Sequence, residues 1–336
     1  MGLRAAIIGC GDIHVVHRAA LERLPEVDLV AVAEVEPSRC PSDVRAYADY
    51  RELLEQERPD VVHICTPHDQ HVEPALAAVS RGVHVVLEKP LAAHLPAAER
   101  LVECMVERQQ PGVKVALCYQ NRYNLSYAKA KELIDSGRLG EVYGSVAAVP
   151  WKRTRDYYQS RPWRGSWRQS GGGVLINQAI HTIDALSWFF GGIETVSGMA
   201  TRTEFADLIE VEDTAFARFT HPNGQVSQFF ATVTGPVQAP VSIDIFAEHA
   251  NLHIQDGLLV QWKGRPEEYY PERQLGGEGR DYWGVSHELL IADFYRQLDQ
   301  PEPFWLGPAQ GIEALQVIKQ IQAQSPEWAA LVQVEG

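Results

Sequence analysis

Cysteine is scarce and unevenly placed. Cys10, Cys40, Cys65, Cys104 and Cys118 make up the full complement of five, and no two form a CxxC pair. An odd count without close spacing excludes a disulfide framework and a cysteine zinc site, and it fits reduced thiols in a cytoplasmic protein. No apolar run approaches the roughly 20 residues that a membrane span requires. Basic side chains are in deficit too, with 30 Lys+Arg against 44 Asp+Glu, a formal charge of -14. That balance argues against nucleic acid or an anionic membrane as partner, because phosphate-rich surfaces are held by a positive field. Low-complexity tracts and blocks of like charge are missing, which excludes extensive disorder. The start of the chain has no signal-peptide cleavage pattern and reads as a buried strand. Ala6, where a myristoylation motif needs Ser or Thr, removes that reading of Gly2.

What is present is ordinary globular material: 336 residues, 45% hydrophobic and 22% charged. At roughly 150 residues per domain this is about two domains. Leu3–Ile8, Leu29–Ala33, Val61–Cys65, Val83–Leu87 and Val113–Leu117 are short and nearly continuous in Val, Ile, Leu and Ala. Continuous runs of this kind are strands buried on both faces, as in a parallel sheet. Ile13–Leu24, Tyr50–Glu57, Gln70–Arg81 and Leu95–Arg108 lie between them with helical spacing. The alternation predicts a doubly wound α/β Rossmann domain over 1–121. Beyond it come a helix at Tyr123–Ser136, a strand at Glu141–Val149, an aromatic and Arg-rich loop at Trp151–Arg168, and an apolar helix at Val174–Phe190. Alternating segments follow at Val196–Thr203, Asp213–Phe219, Val226–Thr234, Ser242–Ala247, Ala250–Ile254 and Leu258–Trp262, with Asn223-Gly224 as a hairpin signal. These predict a second α/β domain over 122–336 around an antiparallel sheet, closed by helices at Val285–Asp299 and Pro308–Gln324, with the last helix packing back on the first domain.

Gly9-Cys10-Gly11-Asp12-Ile13 follows the first strand and opens the first helix. Glycines there let backbone amides approach a pyrophosphate at a helix N-terminus. His14 stands where a third glycine would complete the fingerprint, so the segment is a dinucleotide turn or an ordinary tight turn. Glu34 closes the second strand, where an acid bonds ribose hydroxyls and repels a 2′-phosphate. NAD is therefore preferred, with NADP left open by Ser38 and Arg39. Thr66-Pro67 and His71 form a turn at the carboxyl end of a strand, either a ligand turn or a Pro-initiated helix start. Glu88-Lys89-Pro90 ends another strand. Lys89 either pairs with Glu88 or polarises a substrate hydroxyl in a cleft.

In Gly171-Gly172-Gly173-Val174 onward, a continuous helix places Asn177 and His181 at i,i+4 on one face, with Asp184 three residues further. The three glycines allow a ligand close to the helix start. His181 is then a general base or a satisfied core histidine, and its polar neighbours favour the base. Within Trp151–Arg168, the side chains of Arg153, Tyr157, Trp163 and Arg164 suit sugar stacking and hydroxyl binding, or a packing interface equally. No nucleophile elbow, HExxH or metal-ligand spacing is present, so no metal is expected.

Taken in order, the Glu88-Lys89-Pro90 triplet and the GGG-x3-N-x3-H-x2-D run resemble the Gfo/Idh/MocA oxidoreductases over nearly the whole chain. The resemblance implies a large open C-terminal sheet used for oligomerisation, as a homodimer or homotetramer. It also implies hydride transfer between nicotinamide and a hydroxyl-bearing carbon of a sugar or polyol. By this likeness Lys89 polarises the reacting hydroxyl and His181 moves its proton. Asn177 stands where many members carry Asp, and an amide orients but accepts no proton. Thr66, Pro67, His71, Glu88 and Asn121 fall at the cofactor, Trp163 and Arg164 reach cofactor or substrate, and Tyr282 joins the substrate set. A glycosidase-type redox and elimination reaction on NAD, and a non-catalytic dinucleotide sensor, are the alternatives.

Overall fold

The computed structural model describes residues 2–107, 112–273 and 284–335. Tyr282, expected at the substrate, lies outside them. The chain divides into two compact units, one formed by 1–120 with 277–312 and the other by 121–276 with 313–336. The crossing near residue 121 is thus followed by a return: the helix Gly284–Arg296 belongs to the first unit, and Pro308–Ala323 is shared between the two. No described helix is long and apolar enough to cross a membrane.

Six parallel strands form the sheet of the first unit: β1 (Leu3–Ile8), β2 (Val27–Ala33), β3 (Arg45–Tyr47), β4 (Val61–Ile64), β5 (His84–Leu87) and β6 (Val115–Leu117). Their order is β3-β2-β1-β4-β5-β6, the arrangement of a doubly wound nucleotide-binding fold. The central strands are wholly buried, from Ala5 to Ile8 and from Val61 to Ile64, which accounts for their nearly continuous apolar runs. β1 lies where the strand order reverses, so the turn after Ile8 opens at the point where such sheets bind ligands. β3 has no sequence signal because two of its three residues are exposed.

Eight strands form the sheet of the second unit: β7 (Val142–Pro150), β8 (Thr195–Thr201), β9 (Thr214–Thr220), β10 (Val226–Thr232), β11 (Ser242–Ala247), β12 (Ala250–Ile254), β13 (Gly257–Trp262) and β14 (Glu268–Pro271). The order is β14-β13-β12-β11-β7-β10-β9-β8, antiparallel except where β10 runs parallel to β7. β9 and β10 pair antiparallel across the predicted Asn223-Gly224 turn, in which Gly224 takes a φ of 82°. Alternation along the strands buries Ala147, Ile243, Ile245, Phe219 and Phe229, and leaves Val146, Phe216 and Phe246 exposed.

Two expectations fail here. The helix Val174–Phe190 is not continuous but breaks into Val174–Asn177 and Ile180–Phe190. Both Gln178 and Ala179 direct their amides to the Val174 carbonyl, at 3.1 and 2.9 Å, so the i→i−4 ladder slips by one residue there. The aromatic loop is likewise not irregular throughout, since it holds the short helices Arg155–Gln159, Pro162–Gly165 and Trp167–Ser170.

Candidate active site

The turn after β1 is shaped for a close approach. Gly9 has a φ of 95°, and a Cβ there would stand 2.8 Å from the Cys65 carbonyl carbon and oxygen. A side chain on Gly11 would meet nothing nearer than the Cys65 oxygen at 3.9 Å, so that position is open. Asp12 is exposed beside it, and Ile13 starts the helix His14–Leu21 without a side-chain cap. A glycine cradle next to an uncapped helix N-terminus fits a pyrophosphate, whose charge the helix dipole favours. Glu34 is half-buried and accepts the Cys10 amide at 2.7 Å and the Glu36 amide at 2.9 Å. Each carboxylate oxygen keeps a further lone pair for a ribose hydroxyl. Arg39, the residue that would receive a 2′-phosphate, is ion-paired with Glu36 at 2.6 Å.

Thr66 and Pro67 are half-exposed at the end of β4, whereas His71 is fully buried. The His71 ring lies between two backbone carbonyls, with Nδ1 2.6 Å from Pro90 O and Nε2 3.0 Å from Thr66 O. The ring thus packs between the Thr66-Pro67 turn and the Lys89-Pro90 segment, donating to one of the two carbonyls when neutral, and burial lowers its pKa. Sequence reasoning expected a cofactor contact; the ring is used on the protein's own backbone.

Glu88 also serves the protein interior. Its carboxylate accepts from His17 Nε2 at 2.9 Å and His287 Nε2 at 3.1 Å, and it is nearly fully buried. The two histidines hold it well below the ordinary carboxylate range despite burial, which pushes the other way. An ionised Glu88 fixes the tautomers behind it. His17 donates from Nε2, so its Nδ1 accepts from His63 Nδ1 at 2.8 Å, and His63 Nε2 accepts from the Tyr295 hydroxyl at 3.0 Å. Burial lowers the pKa of both rings, His63 the more strongly, which keeps them neutral. Neither His287 nor Tyr295 was singled out from sequence; the one legible signal was a histidine, His63, inside an otherwise apolar strand. Lys89 is the half-exposed residue in a stretch buried from Val85 to Ala93.

The second unit shows the same signature. Between Gly171 and Ser187, Asn177 and His181 are half-exposed and every other residue is buried. The break at Gln178 and Ala179 removes the i,i+4 relation between them, yet both still reach the surface. Asp184 is not a partner of His181: it forms a two-point ion pair with Arg122 at 2.7 and 3.0 Å, buried, and desolvation raises its pKa to about 6 against the pull of Arg122. The glycines do not admit a ligand either. A Cβ on Gly173 would stand 1.8 Å from the Glu212 carbonyl oxygen, and one on Gly172 2.5 Å from Gln322. The buried Glu212 carboxylate accepts the Gly173 and Leu175 amides at 2.8 and 3.2 Å, so the helix start is already capped from within. Asn121 is half-exposed and bonded to the buried Tyr127 hydroxyl. Arg153, Tyr157, Trp163 and Arg164 are all half-exposed. Tyr157 is tied to the Asn177–His181 turn, because its hydroxyl accepts from Gln178 Nε2 at 3.0 Å.

Two family models match this chain. Residues 3–116 match the Gfo/Idh/MocA oxidoreductase family with its NAD-binding Rossmann fold, and residues 127–253 match the Gfo/Idh/MocA C-terminal domain. The chain belongs to the Gfo/Idh/MocA family. Its first unit is thus an NAD-binding domain, and the glycine cradle and Glu34 are the features that fit the cofactor. Among relatives of this Gfo/Idh/MocA protein, inositol 2-dehydrogenase of Rubrobacter xylanophilus is 27% identical over 327 residues, covering 87% of this chain and 89% of its own. The WlbA dehydrogenase of Bordetella pertussis, solved with NADH and UDP-GlcNAcA, superposes with a TM-score of 0.82 at 25% identity over 96% of both chains. Myo-inositol 2-dehydrogenase of Lactobacillus plantarum shares the fold, with a TM-score of 0.81 at 20% identity over 96% of this chain and 97% of that one.

Proposed function

We propose that this oxidoreductase acts on a hydroxyl-bearing carbon of a sugar, polyol or sugar derivative, with NAD rather than NADP. The observation that carries the reading is the pattern of exposure in its two buried runs. Lys89 alone reaches the surface in one, and Asn177 and His181 alone in the other. A cation, an amide and an imidazole are groups able to stabilise, orient and deprotonate an alcohol. NAD, when bound, supplies the hydride acceptor. His181 offers a ring nitrogen for the hydroxyl proton, Lys89 stabilises developing negative charge on oxygen, and Asn177 orients the hydroxyl without taking its proton. The Arg39–Glu36 pair and the Glu34 carboxylate both disfavour a 2′-phosphate, which supports NAD.

The test is nicotinamide reduction by the purified protein with NAD or NADP against sugars, polyols and sugar acids, with products analysed in the same samples. Accumulating NADH with one substrate class and NAD preference are the expected results. Cleaved glycosides without net NADH would replace this reading with internal redox cycling, and dinucleotide binding with no turnover across the panel would favour a sensor.

The outer face of the eight-stranded sheet exposes Val146, Met199, Phe216 and Phe246, and supports assembly into a homodimer or homotetramer. Five free cysteines, with burial raising the thiol pKa of Cys10, Cys65 and Cys118, support a reducing, cytoplasmic setting.

A further inference from the structure

A chain of formal charge -14 concentrates six basic residues, Lys152, Arg153, Arg155, Arg161, Arg164 and Arg168, against the single acid Asp156 in the segment Trp151–Arg168. Arg155 is engaged by Asp207 through bonds of 2.9 and 2.7 Å. Arg153 is held differently. Its guanidinium lies 4.7 Å from the centre of the Trp151 ring and 5.2 Å from that of Tyr157. Both of its hydrogen bonds, to Lys152 O at 2.9 Å and Gln238 Oε1 at 3.1 Å, leave from Nη1. Among the described residues no carboxylate meets Arg153, and its Nε and Nη2 donate to nothing. Stacking occupies the faces of the guanidinium, so the Nε–Nη2 edge is presented as a ready two-point donor.

The Arg164 guanidinium packs on the same ring, 4.2 Å from the centre of Tyr157. Two cations are therefore set on one phenol, and that phenol is bonded to Gln178, between Asn177 and His181.

We propose that the substrate carries an anionic group, a carboxylate or a phosphate, which the Nε–Nη2 edge of Arg153 binds. The assignment rests on the dehydrogenase reading for placing Asn177 and His181 at the substrate, and its test is binding, which does not need turnover. Calorimetric titration of the NADH-loaded protein with D-glucose, D-glucuronate, glucose 1-phosphate and UDP-glucuronate separates the two anion sources. At least one anion is expected to bind 10-fold or more tighter than glucose, with an advantage that shrinks as salt rises.

Arg153→Gln should remove that advantage, a loss of about 10- to 150-fold, the range for hydrogen bonds to charged groups. Arg153→Lys should restore part of it. Arg155→Gln removes the same charge from the segment but no open edge, and should leave the advantage in place. A circular dichroism melt that matches wild type in each variant confirms folding. The proposal fails if no anion outbinds glucose, if the advantage survives Arg153→Gln, or if Arg155→Gln abolishes it equally. Anion binding to the NADH-loaded protein, together with no reduction of NAD by any substrate in the separate turnover panel, would sink the dehydrogenase reading and leave the anion site standing.

Discussion

Lys89, Asn177 and His181 are the candidates that sequence singles out, and each is a half-exposed position in an otherwise buried run. Their neighbours were less legible. Glu88, His71 and the glycines at 171–173 carry the same motifs, yet they work on the protein's interior, and only packing reveals the difference. Substitution separates the classes. Lys89→Ala should lower kcat by about 10²- to 10⁴-fold, the usual worth of an acid–base group, with NAD affinity nearly intact; an unchanged kcat in steady-state assays would remove Lys89 from the reaction. Among the glycines, Gly11→Ala should leave the melting temperature unchanged and weaken NAD binding, since a methyl there meets open space in the cradle. Gly173→Ala should do the reverse, lowering stability because its Cβ would stand 1.8 Å from the Glu212 carbonyl oxygen. A calorimetric melt paired with NAD titration checks both.

Elements with strong periodicity read correctly. The helix Tyr50–Glu57 and the strands Ser242–Ala247 and Ala250–Ile254 coincide with their expected bounds, because burial and pattern agree there. β3 and β14 escaped notice as a short exposed strand and an edge strand, and the break at Gln178 is set by a backbone slip that hydrophobic spacing does not register. Least visible was the chain of hydrogen bonds from Tyr295 through His63 and His17 to Glu88, which joins three separate elements to the segment after β5. It has a measurable consequence. Buried His17, His63 and His71 have lowered pKa values, while an unfolded chain takes up protons at such rings below about pH 6.5. The stability they confer is present above that pH and lost as pH falls, by up to about 1.4 kcal/mol per pH unit for each ring. The depressed Glu88 adds to the loss at lower pH. Urea midpoints should therefore fall steadily from pH 7 to 5. His63→Leu combined with Tyr295→Phe removes one titrating ring together with the hydroxyl that bonds it, and should flatten that slope by about one proton. A slope identical to wild type would show that His63 is already protonated in the folded state.

At the scale of the whole molecule, a net charge of -14 opposes self-association, so any contact between copies must come from a face where charge is sparse. The outer face of the eight-stranded sheet has that character. Phe216 and Phe230 stand directly opposite across β9 and β10 with ring centres 5.0 Å apart, Met199 continues the row on β8, and Ala148 and Ser242 extend it across β7 and β11. Arg218 and Asp244 are the charged residues of the adjoining row through Gln228 and Val146. A groove of about 500 Å³ lined by Pro150, Phe216, Phe230 and Val237 borders the same face and offers a concavity for side chains of a second copy. Leaving this much aromatic surface in water is unfavourable by roughly 25 cal/mol for each Å² that a partner could cover. Phe216→Asp places a charge at the centre of the row without disturbing the buried face of β9, which is carried by Ala215, Ala217 and Phe219. Light scattering should find a dimer or tetramer for the wild type and a monomer for the variant, with matching circular dichroism and NAD affinity. A wild-type monomer at micromolar concentration would end the assembly proposal. A variant that keeps the wild-type mass would move the interface off this face while leaving assembly itself intact.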